Sequence, residues 1–304
     1  MSGIVAWSTS SFGKESREPL ERLARAGYEI RANPHGRTLS TDEAKLHLDG
    51  VVGLVAGTEK LTGELLRACP TLKVISRVGV GMDGVDQAAA KELGIAVCNT
   101  PEAHVDAVAE LTLGGLLAAL RSIPQSDASI RAGAFEKPMG RLLREKTVGL
   151  VGYGRVARSL AQLVRAFDCD VLAHDLQKSD DSVRYVGLDE LLAQSDIVSL
   201  HLPYSKSAHH LIGAAQLAAM KPDAILVNTA RGGLVDEAAL VAHLEKHKKA
   251  AAYLDCFEKE PYTGPLASLK NVVLSAHIGS YAREARVRME AEAVDNLLKA
   301  LGKV

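Results

Sequence analysis

Apolar residues in the chain fall into short runs separated by amphipathic segments, which predicts a repeating alternation of strand and helix. Continuous apolar runs of this length are typical of parallel strands buried on both faces. In the first third of the chain, strands are predicted at 4–7, 28–31, 51–55 and 73–78, with helices at 15–26, 40–48 and 62–68. This part of the sequence predicts a small parallel α/β domain.

The same alternation continues with more repeats after residue 146. Strands are predicted at 147–151, 171–173, 196–202, 224–228, 251–255 and 272–275, and helices at 155–167, 188–194, 214–220 and 237–247. Six or so strands alternating with helices predict a doubly wound sheet, whose ligands lie beyond the carboxyl ends of the strands. A final helix at 283–301 is expected to return to the first domain, which would make that domain discontinuous.

One predicted helix, at 105–120, is almost free of charge and contains Gly114, Gly115, Ala118 and Ala119. A helix of this composition must be buried on most sides. It is either a core helix or a helix packed on a neighbouring subunit, because small residues allow close approach in both cases.

A glycine turn follows the strand at 147–151. Gly152, Gly154 and Ala157 form the pattern G-x-G-x-x-A between this strand and the next predicted helix. Such glycines let backbone N–H groups approach a pyrophosphate at the positive end of a helix. A literal G-x-G-x-x-G also occurs at 79–84, but only a two-turn helix follows it. The context therefore favours the turn after residue 151 as a dinucleotide-binding motif.

Asp175 follows the second strand of this unit, about 20 residues after the glycine turn. A carboxylate at this distance accepts hydrogen bonds from the ribose hydroxyls of NAD. The same charge repels the 2′-phosphate of NADP. The sequence therefore predicts NAD as the cofactor.

Composition narrows the classes of partner and compartment. The chain has 304 residues, of which 47% are hydrophobic, and its net charge is −1. This balance gives no argument for nucleic acid or an anionic membrane as a partner. Four scattered cysteines without C-x-x-C spacing predict reduced thiols and no metal site. Because no leader and no apolar run of membrane-spanning length is visible, we expect a soluble, cytoplasmic protein.

Three charged residues stand directly after strands of the second predicted sheet. Arg231 follows ILVNTA, Glu260 follows AYLDCFEK and His277 follows VVLSA. A guanidinium can hold a carboxylate and a neighbouring carbonyl in a fork of hydrogen bonds, and a histidine can exchange the proton of an alcohol. A carboxylate beside that histidine raises its pKa. Each residue alone is compatible with a structural role, but together they suit hydride transfer between NAD and a 2-hydroxy or 2-keto acid.

Five segments resemble the ordered signature blocks of the D-2-hydroxyacid dehydrogenase family and cover most of residues 72–281. They are NTPEAHVDAVAELTLGGLLAALR, TVGLVGYGRVAR, VNTARGGLVDEAAL, LDCFEKEP and SAHIGS. The resemblance implies two Rossmann-like doubly wound parallel-sheet domains over an interdomain cleft. Residues 1–99 with 281–304 would bind the substrate, and residues 100–280 would bind NAD.

The same resemblance implies roles for individual residues. Arg231 would orient the substrate carboxylate, His277 would be the general acid/base, and Glu260 would be its partner. Cofactor contacts are implied at Gly152, Gly154, Arg155, Val156, Asp175, His201, Pro203, Thr229, Ala230, Asp255, His277 and Gly279. Substrate contacts are implied at Arg77, Val80, Gly81, His104 and Arg231. The backbone N–H groups of Val80 and Gly81 would hold the substrate carboxylate, and Asp255 would hold the nicotinamide carboxamide.

Within the family, four segments resemble 3-phosphoglycerate dehydrogenases: NPHGRTLSTDE, ISRVGVGMDGVD, MGRLLREKTVG and HIGSYAREARVRMEAEAVDNLL. This resemblance implies a phosphorylated substrate whose phosphate faces Arg77, assisted by Lys137 or Arg141. The alternative for Arg77 is a surface arginine at the end of a strand. We therefore expect oxidation of 3-phospho-D-glycerate to 3-phosphohydroxypyruvate, with NAD, in serine biosynthesis.

Several residues depart from the family pattern. His104 stands where asparagine is usual, Ser205 and His209 replace threonines expected around the cofactor, and Cys256 replaces a valine. These departures weaken the expectation for the substrate more than the expectation for the chemistry. No serine-binding regulatory domain is expected after residue 304.

Two alternative functions stay open at this point. One is another reductase of the same family, acting on glyoxylate, hydroxypyruvate, pyruvate or a bulkier keto acid. The other is a corepressor-like protein that senses NAD, although the intact set of Arg231, Glu260 and His277 favours an enzyme. The resemblance also implies a homodimer through the helix at 105–120.

Overall fold

The chain forms two α/β units, each built on a parallel sheet, as the sequence predicts. A computed structural model describes residues 3–178 and 181–303. The contacts divide the chain into a first unit, Met1–His104 with Ser280–Val304, and a second unit, Val105–Gly279. The domain limits expected from the sequence lie close to these positions.

The first unit contains a five-stranded parallel sheet in the order β2-β1-β3-β4-β5. Its strands are β1 (Ile4–Trp7), β2 (Glu29–Arg31), β3 (Val51–Ala56), β4 (Val74–Arg77) and β5 (Ala96–Cys98). Its first helices are α1 (Glu18–Arg25), α2 (Thr41–His47), α3 (Gly63–Arg67) and α4 (Gln87–Glu92). Ser40 caps α2 reciprocally with Glu43, which confirms the capping box expected from the sequence.

The second unit contains a seven-stranded sheet in the order β12-β11-β10-β9-β6-β7-β8, and all its pairs are parallel. Its helices are α5 (Val105–Arg121), α6 (Ile123–Arg131), α7 (Arg155–Arg165), α8 (Leu188–Gln194), α9 (Ala214–Ala219) and α10 (Glu237–Lys246). Its strands are β6 (Thr147–Val151), β7 (Asp170–His174), β8 (Arg184–Tyr185), β9 (Ile197–Leu200), β10 (Ile225–Asn228), β11 (Ala251–Leu254) and β12 (Val272–Leu274). The strand order reverses at β6, so a ligand is expected beyond the carboxyl ends of β6 and its neighbours.

Helix α5 packs one face on the second sheet. A Cβ atom on Gly115 would lie 2.1 Å from the ring of Tyr253, so only glycine allows this approach, whereas Gly114 faces open space. In the described chain no single helix is long and apolar enough to cross a membrane. Within the described residues, only α5 and α6 taken together are long and apolar enough, and they are bent by 64° at their junction. Of the two interpretations of α5, a core helix or a helix packed on a neighbouring subunit, the first is therefore correct for the face that carries Gly115.

The last helix, α11 (Arg283–Ala300), packs on the sheet of the first unit. Leu297 is fully buried there, and its side chain lies 3.2 Å from the position of a Cβ atom on Gly53 in β3. The first unit is thus built from both ends of the chain.

Candidate functional site

The glycine turn joins β6 to α7 in the second unit. Gly152 has φ +88°, and a Cβ atom there would lie 2.8 Å from the carbonyl oxygen of His201. A side chain would be strained and would clash, so glycine is required. Gly154 is the N-cap residue of α7, no side chain in the described chain caps this helix, and open space lies where its Cβ would be. The positive end of α7 can therefore receive an anion such as a pyrophosphate.

Asp175 follows β7 and lies at the same turn. Its Oδ2 accepts a hydrogen bond of 2.7 Å from the N–H of Tyr153, and its Oδ1 accepts one of 3.0 Å from the N–H of Gln177. The carboxylate is held against the glycine turn, and its contact with the ribose stays a prediction. Arg155 and Val156 begin α7 directly after this turn.

Four further predicted cofactor residues follow β9 and β10, at the carboxyl edge of the sheet: His201, Pro203, Thr229 and Ala230. A hydrogen bond of 2.9 Å joins Ser199 Oγ to His201 Nε2, and burial lowers the pKa of His201 to about 4. This ring is therefore neutral near pH 7. The hydroxyls of Thr112 and Thr229 lie 2.8 Å apart, which fixes the loop after β10 against α5.

His277 and Glu260 form an ion pair after β12 and β11. His277 Nδ1 lies 3.0 Å from Oε1 and 2.9 Å from Oε2 of Glu260. The hydrogen bond that His277 Nδ1 donates to Glu260 raises the pKa of His277, although burial alone would lower it. Burial alone would raise the pKa of Glu260, but the hydrogen bond and charge of His277 lower it overall. Because Nδ1 is held by the carboxylate, Nε2 is left as the atom that can exchange a proton.

The backbone of His277 is in the left-handed region, with φ +53°, which costs free energy for a residue other than glycine. The buried carboxylate of Asp255 stabilises this conformation from one side. Its oxygens accept hydrogen bonds of 2.9 Å from Ile278 N and 2.8 Å from Gly279 N. Ser275 Oγ donates a third bond of 2.6 Å. Asp255 therefore fixes the loop of His277, and its predicted contact to the nicotinamide carboxamide stays a prediction.

Arg231 begins a tight turn after β10. Its Nη1 donates a hydrogen bond of 2.7 Å to the carbonyl oxygen of Ala230, and its own carbonyl oxygen accepts one of 2.8 Å from Asn228 Nδ2. The charge of Arg231 acts on both members of the ion pair, lowering the pKa of His277 and that of Glu260. The structure thus brings the three residues singled out in the sequence to one edge of the sheet.

Gly232 and Ser275 are two residues of this region that sequence reasoning missed. A Cβ atom on Gly232 would lie 1.9 Å from the carbonyl carbon of Phe257, so only glycine lets the turn of Arg231 touch the loop of Glu260. Ser275 bonds Asp255 and also lies 2.9 Å from the hydroxyl of Tyr253. The doubled glycine after Arg231 and the serine before His277 were the available signals, but neither residue type points to a role without the contacts.

The cysteine after Asp255 is structural. Cys256 is buried, and burial raises the pKa of its thiol far above the usual value, so it carries no charge near neutral pH. All four cysteines of the chain are free in the structure. Among the described residues, no group of three or more His, Cys, Asp or Glu side chains could hold a metal ion.

The other predicted substrate residues belong to the first unit. Arg77 ends β4 and is 7% exposed, so the alternative of a surface arginine is wrong. Its Nε donates a hydrogen bond of 3.1 Å to the carbonyl oxygen of Gly81. Val80 is 40% exposed in the same loop, and His104 is 8% exposed at the end of the unit. The structure therefore gives Arg77 a partner within the loop that was expected to bind the carboxylate.

The residues expected to assist with a phosphate lie in the second unit. Arg141 Nη1 lies 3.3 Å from Asp223 Oδ2, and the ammonium of Lys137 lies 5.4 Å from the centre of the Phe135 ring. Of the residues that replace the expected threonines, Ser205 caps a short 3₁₀ turn, and His209 Nδ1 lies 3.3 Å from the hydroxyl of Tyr204. Their contacts with cofactor or substrate stay predictions.

Comparison with known proteins identifies the family. A family model described as "D-isomer specific 2-hydroxyacid dehydrogenase, NAD binding domain" matches residues 113–279. The chain belongs to this family. Its second unit is the NAD-binding domain of a D-2-hydroxyacid dehydrogenase, and the protein is an NAD-dependent oxidoreductase. The resemblance seen in the sequence is confirmed.

Individual D-2-hydroxyacid dehydrogenases resemble the chain over most of its length. A hydroxypyruvate reductase of Thermotoga maritima is 42% identical over 257 residues, which cover 82% of this chain and 84% of that protein. A D-3-phosphoglycerate dehydrogenase of Archaeoglobus fulgidus is 38% identical over 299 residues, 94% of this chain and 56% of that protein. The crystal structure of the TT0316 protein from Thermus thermophilus has a TM-score of 0.91 and 37% identity, covering 98% of this chain and 97% of that chain. Members with different substrates thus resemble this chain to a similar degree.

Proposed function

We propose that the protein interconverts a small, unphosphorylated 2-keto acid, such as hydroxypyruvate or glyoxylate, and its D-2-hydroxy acid with NAD(H). The observation that carries this proposal is the His277–Glu260 ion pair beside Arg231 at the carboxyl edge of the NAD-binding sheet. A proton-exchanging group and a cation at this edge are what hydride transfer to or from a 2-keto acid requires.

Each residue has one task in the proposed mechanism. NAD supplies the hydride acceptor in oxidation, and NADH supplies the donor in reduction. Nε2 of His277 accepts the hydroxyl proton in oxidation and returns it to the carbonyl oxygen in reduction, while Glu260 stabilises the imidazolium through Nδ1. Arg231 holds the substrate carboxylate and polarises the neighbouring carbonyl. Asp255 acts through the backbone, by holding the loop that carries His277.

The burial of Arg77 favours an unphosphorylated substrate. A guanidinium that is 7% exposed and bonded to a backbone carbonyl has little freedom to meet a phosphate in solvent. The identity to a hydroxypyruvate reductase over most of both chains supports the same choice. The substrate expected from the sequence, 3-phospho-D-glycerate, is the second candidate. It is supported by the identity to a D-3-phosphoglycerate dehydrogenase over 94% of this chain.

A substrate panel separates the two candidates. NADH oxidation would be measured with hydroxypyruvate, glyoxylate and pyruvate, and NADH formation with 3-phospho-D-glycerate. Saturable turnover of the unphosphorylated acids supports the proposal, and turnover confined to the phosphorylated acid contradicts it. Tight NADH binding without turnover of any acid would favour an NAD-sensing protein.

The pH dependence follows from the ion pair. The reduction needs protonated His277, so its kcat/KM should be high at low pH and fall as pH rises through the pKa of His277, which Glu260 raises. In Glu260→Gln this pKa is lower, so the fall should move to lower pH. The exposed Glu245→Gln in α10 is the matched control and should leave the profile unchanged. A profile of the Glu260 variant that coincides with wild type would contradict the assignment of the ion pair.

We also propose a homodimer through the face formed by α5, α6 and the segment that follows. Large apolar side chains of α6 and of the segment after it are exposed in the single chain: Ile123 (55%), Ile130 (56%), Phe135 (77%), Met139 (95%) and Leu142 (67%). Exposed apolar patches of this kind mark interaction sites. Sedimentation velocity at micromolar protein should show a dimer, and Met139→Glu should shift it towards monomer. A wild-type protein that sediments only as monomer would contradict the proposal.

A further inference from the structure

A short chain of hydrogen bonds runs across the ends of β11 and β12 towards the loop of His277. Tyr253 lies in β11, and Asp255 follows it two positions later, which places both side chains on the same side of the strand. Ser275 directly follows β12, and its N–H donates a hydrogen bond of 3.0 Å to the carbonyl oxygen of Leu254. The hydroxyl of Tyr253 lies 2.9 Å from Ser275 Oγ, which donates the bond of 2.6 Å to Asp255 Oδ1.

The protons of this chain can point in only one direction. A carboxylate accepts hydrogen bonds and does not donate them, so the single hydroxyl proton of Ser275 goes to Asp255. The phenol of Tyr253 must then donate to Ser275. Burial raises the pKa of Tyr253 to about 12, so the phenol keeps this proton near neutral pH. Donation therefore runs from Tyr253 to Ser275 and from Ser275 to Asp255.

Packing fixes the phenol at the start of the chain. Tyr253 is 1% exposed, and its ring fills the space that a side chain on Gly115 of α5 would need. Among the described residues, Ser275 is the one hydrogen-bond partner of the phenol. Because a buried hydroxyl without a partner costs free energy, the immobile phenol stabilises one orientation of Ser275.

The chain ends at the backbone that carries His277. Asp255 Oδ1 accepts the bonds from Ser275 and from Ile278 N, and Oδ2 accepts the bond from Gly279 N. The terminal torsion of an aspartate side chain has a broad range, so a carboxylate rotates unless its oxygens are held. Because the bond from Ser275 restrains this rotation, both oxygens stay in place for the two amides that follow His277.

We propose that Tyr253 and Ser275 are positioning residues for the general acid/base. They act through Asp255, by fixing the orientation of its carboxylate and thereby the loop on which His277 stands. Their loss should affect kcat more than binding, since Arg231 and the glycine turn are untouched. The role of His277 in proton exchange rests on the proposed function, whereas the hydrogen-bond chain does not.

The kinetic test is a double-mutant cycle of Tyr253→Phe and Ser275→Ala. Each single variant should lower kcat with hydroxypyruvate by about tenfold, because each removes a hydrogen bond of the chain. KM and the Kd of NADH should change by less than about threefold. Since Tyr253 acts only through Ser275, the double variant should be no slower than Ser275→Ala alone. Ser275→Thr keeps the hydroxyl and should recover most of the loss.

Two control variants remove similar groups elsewhere in the second unit. Ser195→Ala deletes a buried hydroxyl that has no hydrogen-bond partner among the described residues. Tyr185→Phe deletes a phenol hydroxyl in β8, at the opposite edge of the sheet from β12. Both controls should leave kcat within about twofold of wild type.

Amide hydrogen exchange gives a second readout, which needs no turnover. Exchange of residues 275–281, measured by mass spectrometry without substrate, should be about tenfold faster in Ser275→Ala than in wild type. It should be unchanged in Ser195→Ala. A residue that only stabilised the fold would instead speed exchange throughout the unit. Localised exchange with no turnover by wild type would support the positioning role and remove only the proposed function.

Three results would overturn the inference. They are a wild-type kcat in Ser275→Ala, a double variant whose loss is the product of the two single losses, and faster exchange that is spread evenly over the second unit. A wild-type kcat in Tyr253→Phe alone would remove the role of Tyr253. This variant keeps the ring that packs on α5, so it carries both measurements if Ser275→Ala fails to fold.

Discussion

Replacing His277 with alanine is expected to lower kcat by about 10² to 10⁴, the usual contribution of a general acid/base. The loss should appear in both directions, because the same nitrogen accepts the proton in oxidation and returns it in reduction. NADH binding should be nearly unchanged, since Asp255 still holds the backbone of the loop through Ile278 and Gly279. Stopped-flow absorbance with hydroxypyruvate and fluorescence titration with NADH measure the two quantities.

The control for this variant is His247→Ala. His247 follows α10 and precedes β11, so it lies at the amino end of a strand of the same sheet, whereas His277 follows the carboxyl end of β12. Its loss should leave kcat within about twofold, as expected for a surface substitution. A His277→Ala protein that keeps near-normal kcat would require another proton donor and would remove the central assignment.

Replacing Asp175 with asparagine is expected to lower the preference for NADH over NADPH, as a ratio of kcat/KM, by about 100-fold. Two effects add in this variant. The ribose loses an ionised acceptor, which weakens NADH binding, and the 2′-phosphate of NADPH no longer meets a negative charge. Asparagine keeps one oxygen for the N–H of Tyr153 or Gln177, so the glycine turn should stay folded.

The exposed Asp189→Asn in α8 is the matched control, since it removes the same charge from the same domain. Steady-state rates with both cofactors at a fixed concentration of hydroxypyruvate give the ratio. A ratio that does not change in Asp175→Asn would show that this carboxylate serves only the turn, through Tyr153 and Gln177, and that selectivity has another source.

The parallel strands of both units could be predicted because their physical signal is local. A strand buried on both faces needs a continuous apolar run, and the strand at 147–151 was predicted with the limits that the structure shows. Two elements of the second unit were not predicted, because they lack a local signal of this kind. Helix α6 buries none of its residues and contains only two large apolar side chains, Ile123 and Ile130, and β8 has only two residues.

The candidate site was predictable in its residues and not in its contacts. Arg231, Glu260 and His277 could be picked out because charged groups directly after buried strands meet at one edge of a parallel sheet. The role of Asp255 in holding Ile278 and Gly279 depends on hydrogen bonds between segments more than 20 residues apart, which no local pattern encodes.

Arg77 could likewise be singled out from the sequence, but its contacts could not. The sequence offered a phosphate ligand or a surface charge, and the structure shows a buried side chain bound to a backbone carbonyl four residues away. Burial of a long charged side chain depends on what packs over it, and this is decided by the tertiary fold. The residue type of Arg77 alone therefore could not show what its guanidinium contacts.

The chirality of the glycerate formed from hydroxypyruvate and NADH tests the central claim most directly. Chiral chromatography of the product after complete oxidation of NADH measures it, with Arg231, Glu260 and His277 intact. If these residues carry out hydride transfer in a D-2-hydroxyacid dehydrogenase, the product is D-glycerate, in an amount equal to the NADH consumed. Formation of L-glycerate, or no glycerate at any pH, would contradict the account.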